Sequence, residues 1–472
     1  MSPRIHENTP YYQFGTERWP GPFSLSSVSS ATDDAIANHI SSIDPDECEL
    51  YSEDGVWIVD FAIIRNQLEI WERLLPRVKI FYAVKTNPNP RLLEYLVNHP
   101  MKLGFDCASH TELSEILSLS VSPDDIIYAN PCKAPSHIRY ASTRNVKKMT
   151  FDNITELYKI KTHFPDAECI LRFKVREPTP SENPSEGAMY ELSKKYGVTI
   201  DYSCEILLQA KKLGLNVVGL AFHVGSGQRN IRAYTHHIEE ARRIWEIARE
   251  VGYTLTILDI GGGFMYSNFE EAAIAVNTAL DSEFGDIIER GELDIVAEPG
   301  RYVSAPAFTL VTSVIAVREA KEEVRGKRMV YLADGLYSNI NAAFWPGELT
   351  SPTVVKGRRM CTPKSTLPTS SASSDSGIEV EEEDNASMDM EGGVATLIRG
   401  DLQEYSVWGP TCDCMDIVIE DALLPKGIEV GDWFVFKDLG AYATSMRTTF
   451  NGFRTSHKVY YINAEGVDVD VL

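Results

Sequence analysis

The chain lacks a hydrophobic run long enough to cross a bilayer, since no apolar stretch approaches the ~20 residues that a membrane-spanning helix needs. It is also poor in positive charge, because 45 lysines and arginines stand against 68 aspartates and glutamates. The formal net charge of -23 argues against nucleic acid and against anionic membrane surfaces as main partners. It fits a protein that binds a small cationic molecule.

Cysteine is scarce, and the eight cysteines form no CxxC pair and no zinc-ligand spacing. The first residues, Met1 to Glu7, show no apolar core of a secretory signal. We therefore expect reduced thiols, a cytoplasmic protein and no metal site. A hydrophobic fraction of 43% is ample for packed cores, and 472 residues exceed what one core usually organises, so two domains are expected.

Short β-rich runs alternate with amphipathic helical patterns from residue 78 onward. Eight such runs lie at residues 78–85, 102–109, 125–130, 147–153, 169–175, 217–225, 255–264 and 293–302. Eight strands alternating with helices over about 230 residues predict a (β/α)8 barrel, which we place at residues 61–304. A doubly wound open sheet is the alternative that the pattern leaves open.

After residue 305 the pattern changes to β-rich runs without intervening helices. These runs, at 308–318, 329–332, 406–408, 416–419, 433–436 and 458–462, predict an all-β domain. We assign residues 36–60 and 305–472 to this domain, because residues 55–60 also form a strand-like run. Two polar stretches are predicted to be disordered, an amino terminus at residues 1–35 and an acidic Ser/Thr/Pro-rich insertion at residues 361–393.

Lys85 stands at the carboxyl end of the first barrel strand, directly before the chain-breaking sequence Thr-Asn-Pro-Asn-Pro. Alternation puts Phe81, Ala83 and Lys85 on one face of that strand. Burial favours the neutral form of a lysine, and the neutral amine is the nucleophile that forms a Schiff base with an aldehyde. The plainer alternative is a lysine that packs its stem at the strand end and keeps its amine in water.

Active sites of barrels collect at the carboxyl ends of the strands, so the residues at those ends were compared. They are Lys85, Asp106, Asn130, Asp152, Arg172, His223, Gly261, Gly262, Gly263 and Glu298. One amine, one imidazole, one guanidinium and several carboxylates on the same rim indicate a site rather than a set of turns.

Three consecutive glycines, Gly261, Gly262 and Gly263, leave backbone N–H groups free to approach an anion. A triple glycine alone is more often a tight turn. Ser226 and Arg301, at the ends of neighbouring strands, would add a hydroxyl and a guanidinium. Together these residues predict a phosphate site.

A lysine that forms Schiff bases beside a phosphate site suggests pyridoxal 5′-phosphate (PLP) as the cofactor. PLP needs an acid that keeps its ring nitrogen protonated, and Glu298 suits that role. The flat ring of His223 would stack on the cofactor. A histidine that only packs in the core is an equal alternative for His223.

Several longer motifs follow one another in a fixed order along the chain. They are Phe81-Tyr-Ala-Val-Lys85-Thr-Asn-Pro88, Phe105-Asp-Cys-Ala-Ser109, His223-Val-Gly-Ser226, Gly261-Gly-Gly-Phe264, Glu298-Pro-Gly-Arg301-Tyr302, Gly409-Pro-Thr-Cys412-Asp413 and Gly440-Ala-Tyr442. Together they resemble the motifs of eukaryotic ornithine decarboxylases, with a fungal style of sequence. The resemblance runs from about residue 35 to residue 462, without the insertion.

The resemblance implies a PLP-binding (β/α)8 TIM barrel and an all-β, Greek-key-like barrel domain. It implies that Lys85 binds PLP covalently, that Glu298 pairs with the ring nitrogen and that His223 stacks on the ring. It further implies phosphate contacts from Ser226, Gly261, Gly262, Gly263, Arg301 and Tyr442, with Asp106, Glu112 and Arg172 around the cofactor.

On the substrate side, the resemblance implies that Cys412 protonates the carbanion left after carbon dioxide departs. It implies that Asp413 binds the distal amine of the substrate and that Tyr337 contributes to the same site. In the family, Cys412 and Asp413 come from the partner subunit. An obligate homodimer with shared active sites is therefore implied.

One position departs from the family pattern. The run that follows Asp334-Gly-Leu-Tyr337 places Pro346 where the family usually carries an aspartate that shares the distal amine. Glu348, two residues on, is the nearest acid that would compensate. Cys414 also stands where glycine is common, which would narrow the pocket.

The predicted function is PLP-dependent decarboxylation of a basic L-amino acid, foremost L-ornithine to putrescine in polyamine biosynthesis. One alternative is a paralogue that decarboxylates a different amino acid in specialised metabolism. A second is an inactive, decarboxylase-like regulator, although such relatives lose cofactor-site residues that are present here.

Overall fold

The structure is a computed structural model, and it describes residues 25–44, 46–47, 49–175, 187–190, 192–319, 327–344, 349–358, 397, 401–454, 457–463 and 466–471. The helices are α1 Leu25–Ser42, α2 Phe61–Leu74, α3 Pro90–Val97, α4 His110–Ser118, α5 Pro135–Thr143, α6 Ile154–His163, α7 Ile200–Lys212, α8 Arg232–Val251, α9 Phe269–Ile288 and α10 Gly300–Ser304.

The strands up to residue 297 are β1 Val56–Asp60, β2 Val78–Ala83, β3 Gly104–Cys107, β4 Ile126–Tyr128, β5 Lys148–Phe151, β6 Glu168–Arg172, β7 Ala188–Tyr190, β8 Asn216–Ala221, β9 Ser226–Gln228, β10 Ile257–Asp259 and β11 Asp294–Ala297. The later strands are β12 Phe308–Arg318, β13 Arg328–Leu332, β14 Thr353–Val355, β15 Leu402–Trp408, β16 Ile417–Pro425, β17 Trp433–Phe436, β18 Lys458–Asn463 and β19 Gly466–Val471.

Eight parallel strands close into a barrel in the order β2, β3, β4, β5, β6, β8, β10, β11 and back to β2. Strands β2, β3, β4, β5, β10 and β11 lie inside their predicted runs, while β6 and β8 each begin one residue earlier. The predicted (β/α)8 barrel is therefore confirmed, and its closure excludes the open sheet. None of the described helices is long and apolar enough to span a membrane.

Helix caps fix where the barrel strands give way to helices. Asn89 accepts a hydrogen bond from the Leu92 N–H ahead of α3, with Pro90 at the start of the helix. Ser109 and Asn153 cap α4 and α6 in the same way. A cap ends the extended backbone and satisfies a free N–H of the first helical turn. These signals are local, which is why the strand ends were predictable.

The barrel interior holds a compact apolar group of its own, separate from the core between strands and helices. Its members are Phe81, Ile127, Ala129, Ile170, Ala221, Ile257 and Val296. Because side chains alternate along a strand, a residue two positions further faces the same interior. Arg172, Asp259 and Glu298 each lie two positions beyond a member of this group. The interior thus changes from apolar to charged at the carboxyl end.

The second domain is built on a sheet with the path β16-β15-β13-β12-β1-β18-β19, from which β17 and β14 branch at β12. Strand β1 pairs antiparallel with β12 and parallel with β18, so the run at residues 55–60 joins this domain as predicted. Strand β12 is 11 residues long and pairs with β1, β17 and β13 along different segments, with a register shift between Val314 and Ala316 in its pairing with β13. The predicted all-β domain is therefore confirmed as a separate sheet domain, in which the described strands pair in this branched order.

Helix α1 differs from the prediction that residues 1–35 are disordered. It begins at Leu25, and Ala35, Ile36 and Ile40 are buried in a core shared with Ile58 of β1. The helix forms because this apolar face has a sheet to cover. Residues 1–24 and the predicted insertion at residues 361–393 lie outside the described residues.

Candidate active site

Lys85 and Asp106, at the carboxyl ends of the paired strands β2 and β3, form an ion pair between amine and carboxylate. Asp106 is fully buried, whereas 34% of the Lys85 side chain is exposed. Burial lowers the pKa of Lys85, but the charges of Asp106 and Glu298 outweigh it and the net shift is upward. The amine is therefore charged in this arrangement, because two carboxylates that are distant in sequence stabilise its proton.

Three buried carboxyl groups, from Asp106, Asp259 and Glu298, lie together at this end of the barrel. Burial raises the pKa of Glu298 well above its usual range, and the charges of Asp106 and Asp259 raise it further. Burial also raises the pKa of Asp259 to about 6, against a hydrogen bond from the Gly261 N–H. The guanidinium of Arg172 opposes both shifts. The charged layer, as we call it, consists of Lys85, Asp106, Arg172, Asp259 and Glu298.

Asp259 was not among the predicted site residues. The run Leu255 to Ile260 reads as an apolar strand, and the acid inside it was passed over in favour of the glycines that follow. A carboxyl group in an otherwise apolar barrel strand was the signal that would have identified it, because burial of an acid needs partners.

His223 is a half-buried histidine that follows β8, and its imidazole is neutral. Burial lowers its pKa well below the usual range, and the charges of Arg172 and Lys85 lower it further. The Gly225 N–H donates to its Nδ1 at 3.0 Å, so the ring hydrogen belongs on Nε2. A Cβ added at Gly262 would lie 2.9 Å from that Nε2, which shows how closely the ring approaches the glycine turn.

The glycine turn, which comprises Gly261, Gly262 and Gly263, leaves no room for side chains. Gly261 and Gly263 have φ values of +65° and +106°. A Cβ at Gly261 would lie 2.1 Å from the Phe222 carbonyl oxygen, and one at Gly263 would lie 2.6 Å from the Gly225 carbonyl oxygen. Only glycine fits this conformation and this packing. The tight turn is thus present, while an anion-binding role for its backbone stays a prediction.

Arg301, Ser226 and Tyr442 converge from three parts of the chain. The Arg301 Nε donates to the Ser226 Oγ at 3.4 Å, and the guanidinium carbon lies 5.3 Å from the centre of the Tyr442 ring. Ser226 opens β9, Arg301 lies in α10 and Tyr442 follows β17 in the second domain. A guanidinium, a hydroxyl and a phenol beside a glycine turn are the donors that a phosphate group requires.

Glu112 lies in the first turn of α4, close to the charged layer. Its Oε2 accepts a hydrogen bond from the Ala108 N–H at 2.6 Å, and its own N–H donates to Ser109 Oγ at 3.2 Å. Burial raises the pKa of Glu112, with a further contribution from Asp106. The carboxylate thus holds the loop that follows Asp106, which suits the place around the cofactor that was predicted for it.

Asp413 and Tyr337 form a second group, in the all-β domain. The Tyr337 hydroxyl donates to Asp413 Oδ2, and the Met415 N–H donates to Oδ1 at 3.1 Å. These hydrogen bonds, Tyr337 first, hold the pKa of Asp413 below its usual range, and the same contact raises the pKa of Tyr337 to about 12. Asp413 is thus a charged, oriented carboxylate.

Cys412 precedes Asp413 and is exposed to solvent. Its N–H donates to Asn451 Oδ1 at 2.9 Å, which fixes the backbone that carries the thiol. The cofactor-side residues thus gather at the end of the barrel, while Cys412 and Asp413 stand on the surface of the other domain. Pro346 and Glu348 lie outside the described residues.

The residues present fit PLP. An amine at the end of β2, a buried acid on β11 and a flat neutral ring on β8 surround the same barrel end as the phosphate donors. The Asp106 Oδ1 is buried and has no hydrogen-bond partner among the described residues, so a polar group of a ligand is expected against it.

Comparison with known proteins agrees with this fit. The profile of the pyridoxal-dependent decarboxylase family, pyridoxal binding domain, matches residues 61–305. The ornithine decarboxylase of Schizosaccharomyces pombe is 37% identical over 420 residues, which cover 89% of this chain and 84% of that protein. The decarboxylase flvG of Aspergillus flavus is 36% identical over 412 residues, with 86% of each chain covered.

Among solved structures, the arginine decarboxylase of Paramecium bursaria Chlorella virus bound to agmatine superposes with a TM-score of 0.71 at 28% identity. The superposition covers 87% of this chain and 97% of the viral one. The family resemblance, the cofactor and the two-domain fold predicted from the sequence are confirmed. The chain belongs to the family of PLP-dependent decarboxylases that includes the fungal ornithine decarboxylases.

Proposed function

We propose that this protein decarboxylates L-ornithine to putrescine, with PLP held between the charged layer and the glycine turn. The observation that carries the proposal is the pairing of Lys85 with buried Asp106 at the same barrel end as the Arg301–Ser226 contact. An amine for the aldehyde and donors for the phosphate are thus within one site. Putrescine, the product, would enter polyamine biosynthesis.

PLP, when bound, supplies an aldehyde that condenses with amines and a ring that accepts the electron pair released with carbon dioxide. Lys85 would bind that aldehyde, and it must first lose the proton that Asp106 and Glu298 stabilise. Asp106 Oδ2 already accepts the hydrogen bond from the Lys85 amine, so it is the nearest base for this proton.

Glu298 would face the ring nitrogen of the cofactor. Its raised pKa keeps a proton on the carboxyl group before the cofactor binds, so the group can donate that proton to the ring nitrogen. His223 would stack on the ring of the cofactor with its flat imidazole. The imidazole stays neutral, so it adds no positive charge next to Arg172. Ser226, Arg301, Tyr442 and the glycine turn would hold the phosphate.

Asp413 and Cys412 would act on the substrate. An ionised carboxylate with two fixed donors is suited to a distal ammonium group, which supports a basic amino acid as the substrate. The Cys412 thiol would donate a proton to the substrate carbon after decarboxylation. Tyr337 would orient Asp413 for this contact.

A homodimer with shared active sites is part of the proposal. A thiol that protonates a carbanion requires shelter from water, yet Cys412 is exposed in the single chain. Apolar side chains around it are also exposed, including Met415 at 61% and Phe450 at 43%. A second copy that covers this surface would bury the thiol and the apolar side chains. It would also place Cys412 of this chain over the barrel of the second copy. The described cysteines are unpaired, which fits the proposed cytoplasmic location.

The test is a carbon dioxide release assay on purified holoenzyme with ornithine, lysine, arginine, diaminopimelate and neutral amino acids. We expect the highest kcat/KM with ornithine. Release from a neutral amino acid at a higher kcat/KM would contradict the assignment of Asp413. Absence of release from every amino acid, with PLP bound, would instead support the inactive regulator.

A decarboxylase of a different amino acid is the second candidate, and Pro346 favours it. The family usually carries an aspartate there, so the distal ammonium would rely on Asp413 without that second acid. Pro346→Asp should then lower KM for ornithine. Efficient wild-type turnover of ornithine, with Glu348→Ala harmless, would show that the second acid is unnecessary and would exclude this candidate.

A further inference from the structure

Asp259 is a buried acid that the proposed chemistry does not use. It ends β10, and in the barrel it pairs in register with Ala221 of β8 and Val296 of β11. Glu298 lies two positions beyond Val296, and its N–H donates to the Gly261 carbonyl oxygen at 2.7 Å. The two acids therefore rise from adjacent strands into the same barrel interior, where the charge of Asp259 contributes to the raised pKa of Glu298.

The two oxygens of Asp259 are in different situations. Oδ1 accepts the Gly261 N–H at 2.9 Å and so holds the first residue of the glycine turn. Oδ2 is buried and has no donor among the residues that the structure describes. A carboxylate oxygen beside a second carboxylate would be strongly repelled, unless a proton lies between the two.

The charges around the pair also require a proton. The groups that face it are Asp106 on β3, Lys85 after β2, Arg172 on β6 and His223 after β8. His223 is neutral, so three carboxyl groups stand against two cations in a buried layer. One proton on the Asp259–Glu298 pair makes the layer neutral, which lowers the cost of burying it.

We propose that Asp259 and Glu298 share one proton and that Asp259 is a positioning residue for the cofactor. Asp259 would keep the proton on the pair in the cofactor-free protein, and its hydrogen bond from the Gly261 N–H connects the pair to the glycine turn. The proposal rests on the proposed cofactor role of Glu298. When PLP binds, Glu298 would donate this proton to the ring nitrogen, so no proton would have to come from solvent.

The first test measures proton uptake when PLP binds to cofactor-free protein, by calorimetry in two buffers of different ionisation enthalpy. The variant is Asp259→Asn, whose amide oxygen still accepts the Gly261 N–H and whose amide N–H would donate to an ionised Glu298. The matched control is Asp294→Asn, at the exposed opposite end of β11. We expect the Asp259 variant to take up about one more proton than the wild type and the control to match it.

The second test uses the pH dependence of stability in the same cofactor-free proteins. The pKa of Asp259 is raised by burial to about 6 in the folded state, against about 3.9 unfolded. In the folded protein Asp259 therefore keeps its proton up to a higher pH than in the unfolded chain. The free energy of unfolding falls as pH rises through that interval. Asp259→Asn removes this loss, so its melting temperature relative to wild type should rise between pH 4 and about 6.

A third measurement needs no Asp259 variant, in case that protein fails to fold. Infrared spectra of cofactor-free wild type at pH 7 should show a protonated carboxyl band that Glu298→Gln removes. Absence of this band from the wild type would overturn the shared proton. Equal proton uptake in wild type and Asp259→Asn would also overturn the shared proton. If Glu298→Gln still changed the proton uptake relative to wild type, the proposed role of Glu298 at the cofactor would nevertheless stand. No effect of Glu298→Gln on any readout would contradict the cofactor role itself.

Discussion

The backbone N–H of Tyr442, in the all-β domain, donates to the carbonyl oxygen of Thr86 in the barrel at 2.8 Å. Thr86 directly follows Lys85, so this bond connects the second domain to the residue beside the cofactor lysine. The side chain of Asn87 donates to the Gly440 carbonyl oxygen at 2.8 Å and reinforces the contact. Both domains therefore contribute residues to the proposed cofactor site, although the family profile covers only the barrel.

This contact predicts that Gly440→Ala weakens cofactor binding from outside the barrel. A Cβ at Gly440 would lie 1.9 Å from the Ser304 carbonyl oxygen, so the two domains must separate slightly and displace Tyr442. We expect lower PLP affinity and a lower melting temperature. Gly285→Ala in α9 is the control, because nothing lies within 4 Å of its added Cβ. It should be neutral or stabilise by up to about 1 kcal/mol. Unchanged PLP affinity in Gly440→Ala would contradict the joint site.

Lys85→Ala should remove the visible absorption of bound PLP, because we propose that the Lys85 amine, paired with Asp106, binds the cofactor aldehyde. Borohydride reduction of the wild type followed by peptide mapping should place the label on Lys85. Lys79→Ala is a matched control on the same strand, since Lys79 is exposed and pairs with Asp294. A label on another lysine would refute the assignment.

How far the sequence predicts this molecule depends on how local each signal is. The barrel strands were found because short β-rich runs alternate with amphipathic helical patterns, and each of these patterns lies within one short stretch of sequence. The short strand β14 and helix α1 were missed, because each forms only where a neighbouring sheet receives it. Asp259 and the charged state of Lys85 were missed for a related reason. Both depend on carboxylates that other strands bring close.

The substrate residues had no local signal at all. Cys412 and Asp413 were reached through the resemblance alone, since a cysteine followed by an aspartate predicts no chemistry in isolation. The structure adds what the resemblance could not, which is that Tyr337 and Met415 fix the Asp413 carboxylate. Site residues at strand ends can therefore be predicted from the sequence pattern. The function of exposed residues such as Cys412 and Asp413 can be predicted only from relatives.

Mixing Lys85→Ala with Cys412→Ala subunits should restore activity if two chains share each site. We expect neither variant to be active alone, whereas half of the sites in mixed dimers would combine an intact Lys85 with an intact Cys412. The measurement is carbon dioxide release after subunit exchange, with exchange verified by native mass spectrometry. Proven exchange without recovered activity would mean that both residues serve the same chain.

Deletion of residues 361–393 should leave kcat and KM nearly unchanged. Leu397 forms an antiparallel bridge with Val355 of β14, so the chain on both sides of the segment comes together in the sheet. The segment itself is rich in Ser, Thr, Pro and acidic residues, which contribute little to a core. Closing a shorter loop there costs little conformational entropy. A large loss of turnover with unchanged circular dichroism would disprove this.

Tyr337→Phe should make substrate binding more sensitive to acid. The Tyr337 hydroxyl is the largest cause of the lowered pKa of Asp413, and the Met415 N–H is the next. The carboxylate binds an ammonium group only above its pKa, and this binding is lost as pH falls through the pKa. Without the hydroxyl the pKa of Asp413 rises toward its usual value, so KM for ornithine should begin to increase at a higher pH than in the wild type.

The change should appear in KM rather than in kcat, because Tyr337 orients Asp413 and holds no reacting proton. Tyr331→Phe on β13 is the control, since the Tyr331 hydroxyl donates to Met329 instead. Identical acid limbs of kcat/KM for Tyr337→Phe and the wild type would show that the substrate does not depend on this carboxylate.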